Sequence, residues 1–241
     1  MITEKIKMVV AFTYPFGGSI NVTDDTCDLV PHTFPRNGQI WEWDQIKIMG
    51  EYVKLFDDQS PHIFIDVGAQ AGLYTLCAKY FPHVEFHAFE PFKPNFHLLQ
   101  KNINLNALSN VVLYDVALSN EDSTSTLQIC KSHNGLHTMG KVPQRFSDVS
   151  SIEVTTRTLD NLFSGDKKIS YIKIDTEGWE YFILNGAVQV LKKWKPILQL
   201  EVCDTNLAQC GLQRSTLFSF LDKLGYRLDR YLGEEHFFVS E

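Results

Sequence analysis

The sequence lacks the features that mark secreted, membrane-spanning and disulfide-linked proteins. Its 241 residues include five cysteines, which form no C-x-x-C pair and whose odd number does not suggest a disulfide framework. No apolar run reaches the roughly 18 residues of a transmembrane helix, and the short apolar stretch that begins at Met8 is not followed by a small-residue cleavage site. We therefore expect a cytoplasmic protein without a signal peptide or a membrane span.

Basic residues are also in deficit. The chain has 22 Lys and Arg against 29 Asp and Glu, a formal net charge of -7, and its basic residues are scattered rather than clustered. Binding to nucleic acid requires a basic surface that neutralises phosphates, so we expect a small or neutral substrate and no nucleic-acid partner. Hydrophobic residues make up 44% of the chain, which is enough for the core of one large domain.

The most informative segment of the chain is 63–90, which reads as a strand, a glycine turn, a helix and a second strand. The apolar residues at 63–67 are typical of a strand buried on both faces, and Gly68 and Gly72 remove side chains where the backbone would approach a ligand. In the dinucleotide-binding turn G-x-G-x-x-G, the middle glycine lets a pyrophosphate lie on the helix N-terminus, but Gln70 stands in its place here. The turn therefore favours an unphosphorylated nucleoside with an amino-acid tail, S-adenosylmethionine, over NAD.

Acidic residues follow the next predicted strands, where ligands of open α/β sheets bind. Glu90 lies 24 positions after Asp66, where its carboxylate could accept hydrogen bonds from both hydroxyls of a ribose. Asp115 could accept the adenine amino proton while Val116 packs on the ring, although an Asp at this place could also cap a turn. The expected cofactor-binding residues are Asp66, Gly68, Ala69, Gly72, Glu90, Pro91, Asp115 and Val116.

Asp175 and Glu177 are the candidates for catalysis. They follow the fourth predicted strand beside the expected methyl position, and two nearby carboxylates can raise one pKa enough for general-base work. Alternatively, Asp175 binds the amino group of the cofactor and Glu177 caps the following helix. Glu201, which ends the fifth predicted strand, and His137, in a loop, are the candidates for substrate binding, with a solvated surface role as the alternative for each.

The same residues give little indication of a metal. His133 and His137 are four apart, but two histidines without a third ligand are weak evidence. Asp175 and Glu177 could coordinate Mg²⁺, but the sequence shows no third ligand for them either. The sequence therefore assigns no metal ligand and leaves metal dependence open.

The pattern of apolar residues predicts an α/β fold. An N-terminal appendage at 1–60 is expected to carry a strand pair at 6–14 and 19–23 and a helix at 40–56, and to serve as a lid together with the loop at 130–150, not as an independent domain. Residues 61–241 then form the main domain. Its predicted strands are 63–67, 84–89, 111–116, 171–174 and 197–202, and its predicted helices are 72–80, 94–106, 179–193 and 215–224. Alternation of this kind implies a parallel sheet.

Two further strand pairs complete this prediction. An inserted hairpin with strands at 127–130 and 152–156 interrupts the alternation between residues 118 and 159. At the end of the chain, strands at 226–231 and 236–239 are joined by a tight connection and are therefore expected to be antiparallel.

Five strings resemble, in this order, the FkbM family of S-adenosylmethionine-dependent methyltransferases: IDVGAQAGLYT, FEPFKPNFHLLQKNINLN, VALS, TLD and YIKIDTEGWEYFILNGA. The resemblance covers residues 62–202, and D-x-E-G-x-E at 175–180 is its most specific element. It implies a three-layer Rossmann-like class I methyltransferase fold, with a seven-stranded sheet whose last strand is antiparallel. It also implies methylation of a hydroxyl group on a sugar, a glycolipid or a natural product.

Three hypotheses follow from the sequence. The first is an O-methyltransferase that uses S-adenosylmethionine to methylate a carbohydrate, a glycolipid or a related small metabolite. The second is a methyltransferase-like binding protein without turnover, against which the presence of both Glu90 and Asp175 argues. The third is a nicotinamide-dependent oxidoreductase, which the glycine spacing disfavours.

Overall fold

The computed structural model describes residues 8–24, 40, 42–56, 60–131, 136–142 and 148–240. Within these residues the chain forms twelve strands. They are β1 Met8–Thr13, β2 Ser19–Asp24, β3 His62–Val67, β4 Val84–Phe89, β5 Val111–Tyr114, β6 Ala117–Leu118, β7 Ser123–Cys130, β8 Val149–Arg157, β9 Lys168–Ile174, β10 Ile197–Glu201, β11 Tyr226–Leu232 and β12 Glu235–Ser240.

Seven α-helices and one 3₁₀ helix lie in the same described residues. The α-helices are α1 Trp43–Val53, α2 Lys93–Leu105, α3 Leu159–Leu162, α4 Glu180–Asn185, α5 Val188–Trp194, α6 Asp204–Gln209 and α7 Arg214–Lys223. The 3₁₀ helix is Thr75–Tyr80. No helix in the described ranges is long and apolar enough to cross a bilayer.

Seven strands form the central sheet, in the order β11-β12-β10-β9-β3-β4-β5. The pairs from β10 to β5 are parallel, whereas β12 is antiparallel to both β10 and β11. The predicted α/β fold with an antiparallel last strand is therefore confirmed. The direction of strand addition reverses between β3 and β9, and the crevice at the carboxyl ends of such strands is where open α/β sheets bind ligands.

The sheet is covered on both faces because neighbouring residues of β3 point in opposite directions. Phe64 faces one apolar cluster, which α1, the 3₁₀ helix and α2 complete. Ile63 and Ile65 face the other cluster, which contains residues of α4, α5 and α7. Across the first face, the ring of Phe64 stacks on Phe86 at 4.6 Å and on Tyr171 at 4.7 Å between centroids. Three adjacent strands are thereby held in register.

The N-terminal appendage packs on the first of these clusters. β1 and β2 form the predicted antiparallel pair, and Phe12, Tyr14 and Ile20 are buried in the same cluster as Phe64. The hydroxyl of Tyr14 donates to the backbone oxygen of Leu73 at 3.0 Å. This bond ties the appendage to the segment that follows β3.

The inserted hairpin is longer than predicted. β7 and β8 pair antiparallel over their whole length, and the Ser- and Thr-rich residues 123–126, which the sequence analysis left outside the strand, belong to β7. β6 pairs with β8, so the insertion forms a three-stranded sheet in the order β6-β8-β7.

Two helix predictions are corrected by the structure. Gly72 has φ +100, outside the right-handed helical region, so the predicted helix at 72–80 starts only at Thr75 and has 3₁₀ geometry. The predicted helix at 179–193 breaks into α4 and α5 at Gly186, where a Cβ atom would lie 2.1 Å from the backbone oxygen of Ser119. In both places the local backbone, not the apolar pattern, decides where the helix runs.

Two smaller differences lie near the carboxyl edge of the sheet. β5 ends at Tyr114, so Asp115 and Val116 follow the strand instead of ending it. α6 was not predicted. This helix has six residues, of which Leu207 is the buried one, and a single buried position gives no helical periodicity in the sequence.

Candidate active site

The turn after β3 is built by close approach of the chain to itself. The N–H groups of Gly68 and Ala69 both donate to the backbone oxygen of Phe89, each at 3.0 Å. Gly68 has φ +80, and a Cβ atom there would lie 1.9 Å from the backbone oxygen of Asp175. Glycine is therefore required for the turn to pack against the end of β9.

Gly72, the second glycine of the turn, also lies too close to another part of the chain for a side chain to fit. A Cβ atom on Gly72 would lie 2.7 Å from Cδ1 of Leu99 on α2. Packing against the end of β9 and against α2 is thus a reason for the two glycines in addition to the predicted approach of a ligand. The assignment of Gly68 and Gly72 to a cofactor site stays a prediction.

Glu90 fastens this turn to the segment after β4. Its Oε2 accepts the N–H of Gln70 at 2.9 Å, and its Oε1 accepts the N–H of Phe92 at 2.8 Å. Burial raises the pKa of the Glu90 carboxyl to about 7, against the effect of the two N–H donors. Each oxygen of a carboxylate has a second lone pair, so Glu90 can still accept hydrogen bonds from hydroxyl groups of a ligand.

Asp66 and Asp115, the other acidic residues predicted for this end, differ in their surroundings. Asp66 is buried and accepts a hydrogen bond from Oγ1 of Thr75 at 2.5 Å, so it stabilises the turn from within. Asp115 is exposed and pairs with Lys93, which lowers the pKa of its carboxyl. A ligand that uses Asp115 has to share it with Lys93.

The remaining residues predicted for the cofactor line the same edge of the sheet. Ala69 is buried, and Pro91 and Val116 are half-buried. Val116 packs against the apolar cluster on the Ile63 face of the sheet.

An acidic cluster, formed by Asp175, Glu177 and Glu201, lies at the ends of β9 and β10. One carboxylate oxygen of each residue lies within 4.8 Å of the others. Nζ of Lys173 donates to Oδ2 of Asp175 at 2.9 Å, and Nδ2 of Asn206 donates to Oε2 of Glu177 at 2.6 Å. The structure thus brings both predicted catalytic residues together with Glu201, which the sequence predicts as a substrate-binding residue.

Burial and like charge act together on the acidic cluster. Burial, followed by the charges of Asp175 and Glu180, raises the pKa of Glu177 to about 8. Burial, followed by Asp175 and Glu177, raises the pKa of Glu201 to about 11. At neutral pH these two carboxyl groups therefore favour the protonated form unless a cation compensates them.

Glu180 holds the turn that carries the acidic cluster. Its Oε1 accepts hydrogen bonds from the N–H and the hydroxyl of Thr176, both at 3.0 Å, and from the N–H of Gly178 at 3.2 Å. Its side chain is 1% exposed, and its Oε2 has no hydrogen-bond partner within the described residues. Burial raises the pKa of Glu180 to about 7.

Lys173 lies in β9 at the centre of a second group of carboxylates. Its side chain is 2% exposed, and its Nζ lies 4.4 Å from the ring centroid of Tyr74. Burial alone would lower the pKa of Lys173, but four surrounding carboxylates outweigh burial and raise it, so this lysine stays charged. They belong to Asp175, Glu235, Glu42 and Asp66.

A chain of hydrogen bonds links these carboxylates to the N-terminal appendage. The hydroxyl of Tyr74 donates to Oε2 of Glu42 at 2.6 Å. Nε2 of Gln199 donates both to the hydroxyl oxygen of Tyr74 at 2.9 Å and to Oε2 of Glu235 at 2.8 Å. Glu42 precedes α1 with φ +56, so a strained residue of the appendage contributes a carboxylate to the site.

His137, the second residue predicted to bind substrate, lies at the edge of the acidic cluster. Its ring packs edge-on against Phe92 at 4.6 Å between centroids, and the hydroxyl of the next residue, Thr138, donates to the backbone oxygen of Glu177 at 2.9 Å. Burial lowers the pKa of His137 to about 4, so its imidazole is neutral. His133 lies outside the described residues, as do 25–39, 132–135 and 143–147 of the expected lid.

Several residues of the site were missed by the sequence analysis. The sequence did contain a signal for Lys173, because a lysine inside the apolar strand YIKI is buried and requires a carboxylate partner. Glu180 belongs to the D-x-E-G-x-E string but was not given a role. Glu42, Glu235 and Asn206 had no signal, because each reaches the site only through the tertiary fold.

These residues fit a cationic nucleoside cofactor such as S-adenosylmethionine in two respects. Glu90 keeps acceptor capacity for a sugar diol at the carboxyl end of β4. At the end of β9, the carboxylates around Lys173 outnumber its single ammonium group, and an excess of negative charge suits a positively charged sulfonium.

A protein-family model described as the methyltransferase FkbM domain matches residues 66–228. Two relatives are each 26% identical to this chain. Methyltransferase 1 of Beauveria bassiana (strain ARSEF 2860) aligns with 62% of this chain and 67% of its own length, and methyltransferase sdnD of Sordaria araneosa aligns with 55% and 66%.

A crystal structure of methyltransferase FkbM from Methylobacillus flagellatus KT is also similar. It is 19% identical to this chain, with a TM-score of 0.46, and the match covers 76% of this chain and 44% of that one. The chain thus spans about two thirds of the relatives above and less than half of this solved protein.

Gly68→Ala should destabilise the protein more than Gly211→Ala does. Both glycines have positive φ, but a Cβ atom at Gly211 meets nothing within 4 Å, whereas one at Gly68 collides with the backbone of Asp175. Positive φ costs an alanine about 1–2 kcal/mol at either place, and the collision adds about 1–3 kcal/mol at Gly68 alone. Urea denaturation of both variants measures the difference, and equal losses would contradict the contact.

Glu180→Gln should flatten the pH dependence of stability. The raised pKa of Glu180 favours folding fully below its ordinary value of 4.5, and this contribution is lost as pH rises through about 7. The free energy of unfolding of the native protein should therefore fall relative to the variant by about 1.4 kcal/mol per pH unit in that interval. Gln keeps an oxygen for the N–H groups of Thr176 and Gly178. Urea titrations between pH 4.5 and 8 that give parallel curves for the two proteins would contradict this assignment.

Proposed function

The chain belongs to the FkbM family of methyltransferases, whose methyl donor is S-adenosylmethionine, and we propose that it transfers the methyl group to a hydroxyl oxygen of a carbohydrate, a glycolipid or a related small metabolite. The observation that carries this proposal is the acidic cluster at the end of β9, next to the turn after β3. It supplies proton acceptors where an acceptor oxygen has to approach the donor.

The reaction asks few things of the protein. The cofactor supplies an electrophilic methyl group, so the chain has to hold the donor, align the acceptor oxygen in line with the S–CH₃ bond, accept a proton and exclude water. In this proposal Glu90 and the turn after β3 hold the donor. The acidic cluster and His137 receive the acceptor.

Asp175 is suited to orient and deprotonate the acceptor. Lys173 holds Oδ2 of Asp175 at 2.9 Å, which leaves Oδ1 to accept a proton from a hydroxyl group. Glu177, whose pKa is raised to about 8, lies beside it, and a base with a pKa near the working pH transfers protons efficiently.

The charge of the site bears on the class of acceptor. Those carboxylates of the site that are ionised repel phosphates and carboxylate groups, and Lys173 is already paired with Asp175. A neutral molecule with several hydroxyl groups meets no such repulsion and can donate to these oxygens. This supports a saccharide-like acceptor over an anionic one.

Glu90→Ala should weaken the binding of S-adenosylmethionine and of S-adenosylhomocysteine alike. A hydrogen bond to a charged group contributes about 1.5–3 kcal/mol, so the loss of the ribose contacts should raise Kd by about 10-fold to 100-fold. Isothermal titration calorimetry measures both ligands, with Glu153→Ala, on the exposed face of β8, as the control that keeps native affinity. Circular dichroism checks that Glu90→Ala is folded. Absence of heat with the native protein would contradict cofactor binding, and native affinity in Glu90→Ala would contradict the ribose contact.

Asp175→Asn should separate the two roles open to this residue. If Asp175 acts on the acceptor, kcat should fall about 10²-fold to 10⁴-fold with the Kd of S-adenosylmethionine unchanged. If it binds the amino group of the cofactor, Kd should rise instead. The assay follows methyl transfer from labelled cofactor to a panel of neutral mono- and oligosaccharides, with exposed Asp222→Asn as control. Native kcat in Asp175→Asn would contradict a role in the reaction.

A further inference from the structure

The acidic cluster holds more negative charge than the described residues compensate. Lys173 forms an ion pair with Asp175, but it also faces Glu42, Glu235 and Asp66. Within the described residues, Glu177 accepts one neutral amide donor, and neither Glu177 nor Glu201 forms an ion pair. Carboxylates this close repel one another unless they bind protons or a further cation.

Two buried oxygen atoms without partners point to a missing ligand. Oε2 of Glu201, a member of the acidic cluster, is shielded from solvent and has no hydrogen-bond partner in the described part of the chain. The same holds for Oε2 of Glu180, whose side chain is 1% exposed. Oε1 of Glu180 accepts the N–H groups of Thr176 and Gly178, on either side of Glu177, so this carboxylate lies against the turn that carries the acidic cluster. A buried acceptor without a donor is costly, and a cation bound by the acidic cluster would satisfy Oε2 of Glu201.

The spacing of the cluster suits an ion that prefers oxygen ligands. Such ions bind oxygen at about 2.0–2.6 Å, so two ligands on opposite sides of one ion lie about 4–5 Å apart. The oxygen atoms of Asp175, Glu177 and Glu201 lie within 4.8 Å of one another. They can therefore all reach one ion without movement of β9 or β10.

Two of the three carboxylates are already oriented by neighbouring donors. Lys173 holds one oxygen of Asp175, and Asn206 holds one oxygen of Glu177. The hydroxyl of Thr138 binds the backbone oxygen of Glu177, which has φ +54. Donors that fix one oxygen of a carboxylate and leave the other free are the usual second layer of a metal site.

We propose that Asp175, Glu177 and Glu201 bind a divalent cation of the Mg²⁺ and Mn²⁺ class, with the carboxylate of Glu180 beside it. Carboxylates without nitrogen or sulfur ligands select hard cations of this kind. The other carboxylate group, Glu42, Asp175 and Glu235, is not the site, because the ammonium of Lys173 already lies among these residues.

This inference rests on the proposed function for its consequence in the reaction. A cation at the acidic cluster coordinates the acceptor hydroxyl and makes its proton easier to remove, and the proton passes to a carboxylate oxygen of the cluster that does not bind the ion. Asp175 and Glu177 then act on the acceptor through the ion, and Glu201 becomes part of the reaction site.

Binding of Mn²⁺ to the metal-free full chain, without cofactor, tests the proposal. Electron paramagnetic resonance of free Mn²⁺ should show one bound ion per chain, displaced by excess Mg²⁺. Glu201→Gln, which keeps the size of the side chain, should raise the Kd of Mn²⁺ at least 10-fold, and so should Glu177→Gln. Glu153→Gln, on the exposed face of β8, is the control that should bind Mn²⁺ as the native protein does.

Three results would overturn the proposal. No bound Mn²⁺ at pH 7.5 would mean that shared protons hold the carboxylates together. Equal affinity in native protein, Glu201→Gln and Glu177→Gln would place any bound ion elsewhere. Heat on titration with ethanolammonium but not with Mn²⁺ would assign the cluster to an amine-bearing ligand. Because calorimetry with S-adenosylmethionine is a separate measurement, failure of metal binding leaves the proposed methyl transfer intact, and failure of cofactor binding leaves the ion site intact.

Discussion

The carboxyl edge of the sheet depends on the buried ammonium group of Lys173. Taking a lysine out of water costs several kcal/mol unless opposite charges repay it, and Asp175 does so at 2.9 Å, with Glu42, Glu235 and Asp66 nearby. β9 lies between β3 and β10 in the sheet, so this charge stands on a rigid support. The carboxylates around Lys173 come from the appendage, from β3, from the end of β9 and from β12. Without the ammonium group, these carboxylates would repel one another.

Backbone strain is concentrated at the same edge. Gln70, Glu177 and Glu42 have φ between +48 and +56, a region that L-residues avoid. Each is adjacent to a hydrogen bond that fixes it: the N–H of Gln70 to Glu90, the carbonyl of Glu177 to Thr138, and the side chain of Glu42 to Tyr74. The close approach of Gly68 to the backbone of Asp175 joins the turn after β3 to the end of β9. The edge is thus preorganised by the chain itself, which is what transfer of a group between two aligned reactants requires.

The sequence predicted the parts of this arrangement that are local. Apolar runs placed β3, β4, β9 and β10, and the alternation with helices gave the parallel sheet. The D-x-E-G-x-E string located Asp175 and Glu177. It could not place Glu42 or Glu235 beside Lys173, because those contacts join residues more than 60 positions apart. Nor could spacing show that Gly68 packs against Asp175, since the same glycine pattern serves close packing and ligand binding alike. The close packing of Gly186, where the predicted helix breaks, was hidden too, because it involves the distant carbonyl of Ser119.

The two groups of carboxylates share Asp175 but differ in how their charge is compensated. Around Lys173, Tyr74 donates a hydrogen bond to one oxygen of Glu42, and Gln199 donates one to an oxygen of Glu235. The ammonium group of Lys173 supplies the countercharge. In the acidic cluster, Asn206 provides a single amide donor, and Glu201 presents a buried oxygen that no described residue binds. The two groups of carboxylates are therefore not equivalent, although both are buried in the same fold. The first contains an ammonium group that fixes Asp175, whereas the second contains no cation among the described residues and needs either protons or a ligand. That difference supports the proposal that a ligand binds between the ends of β9 and β10.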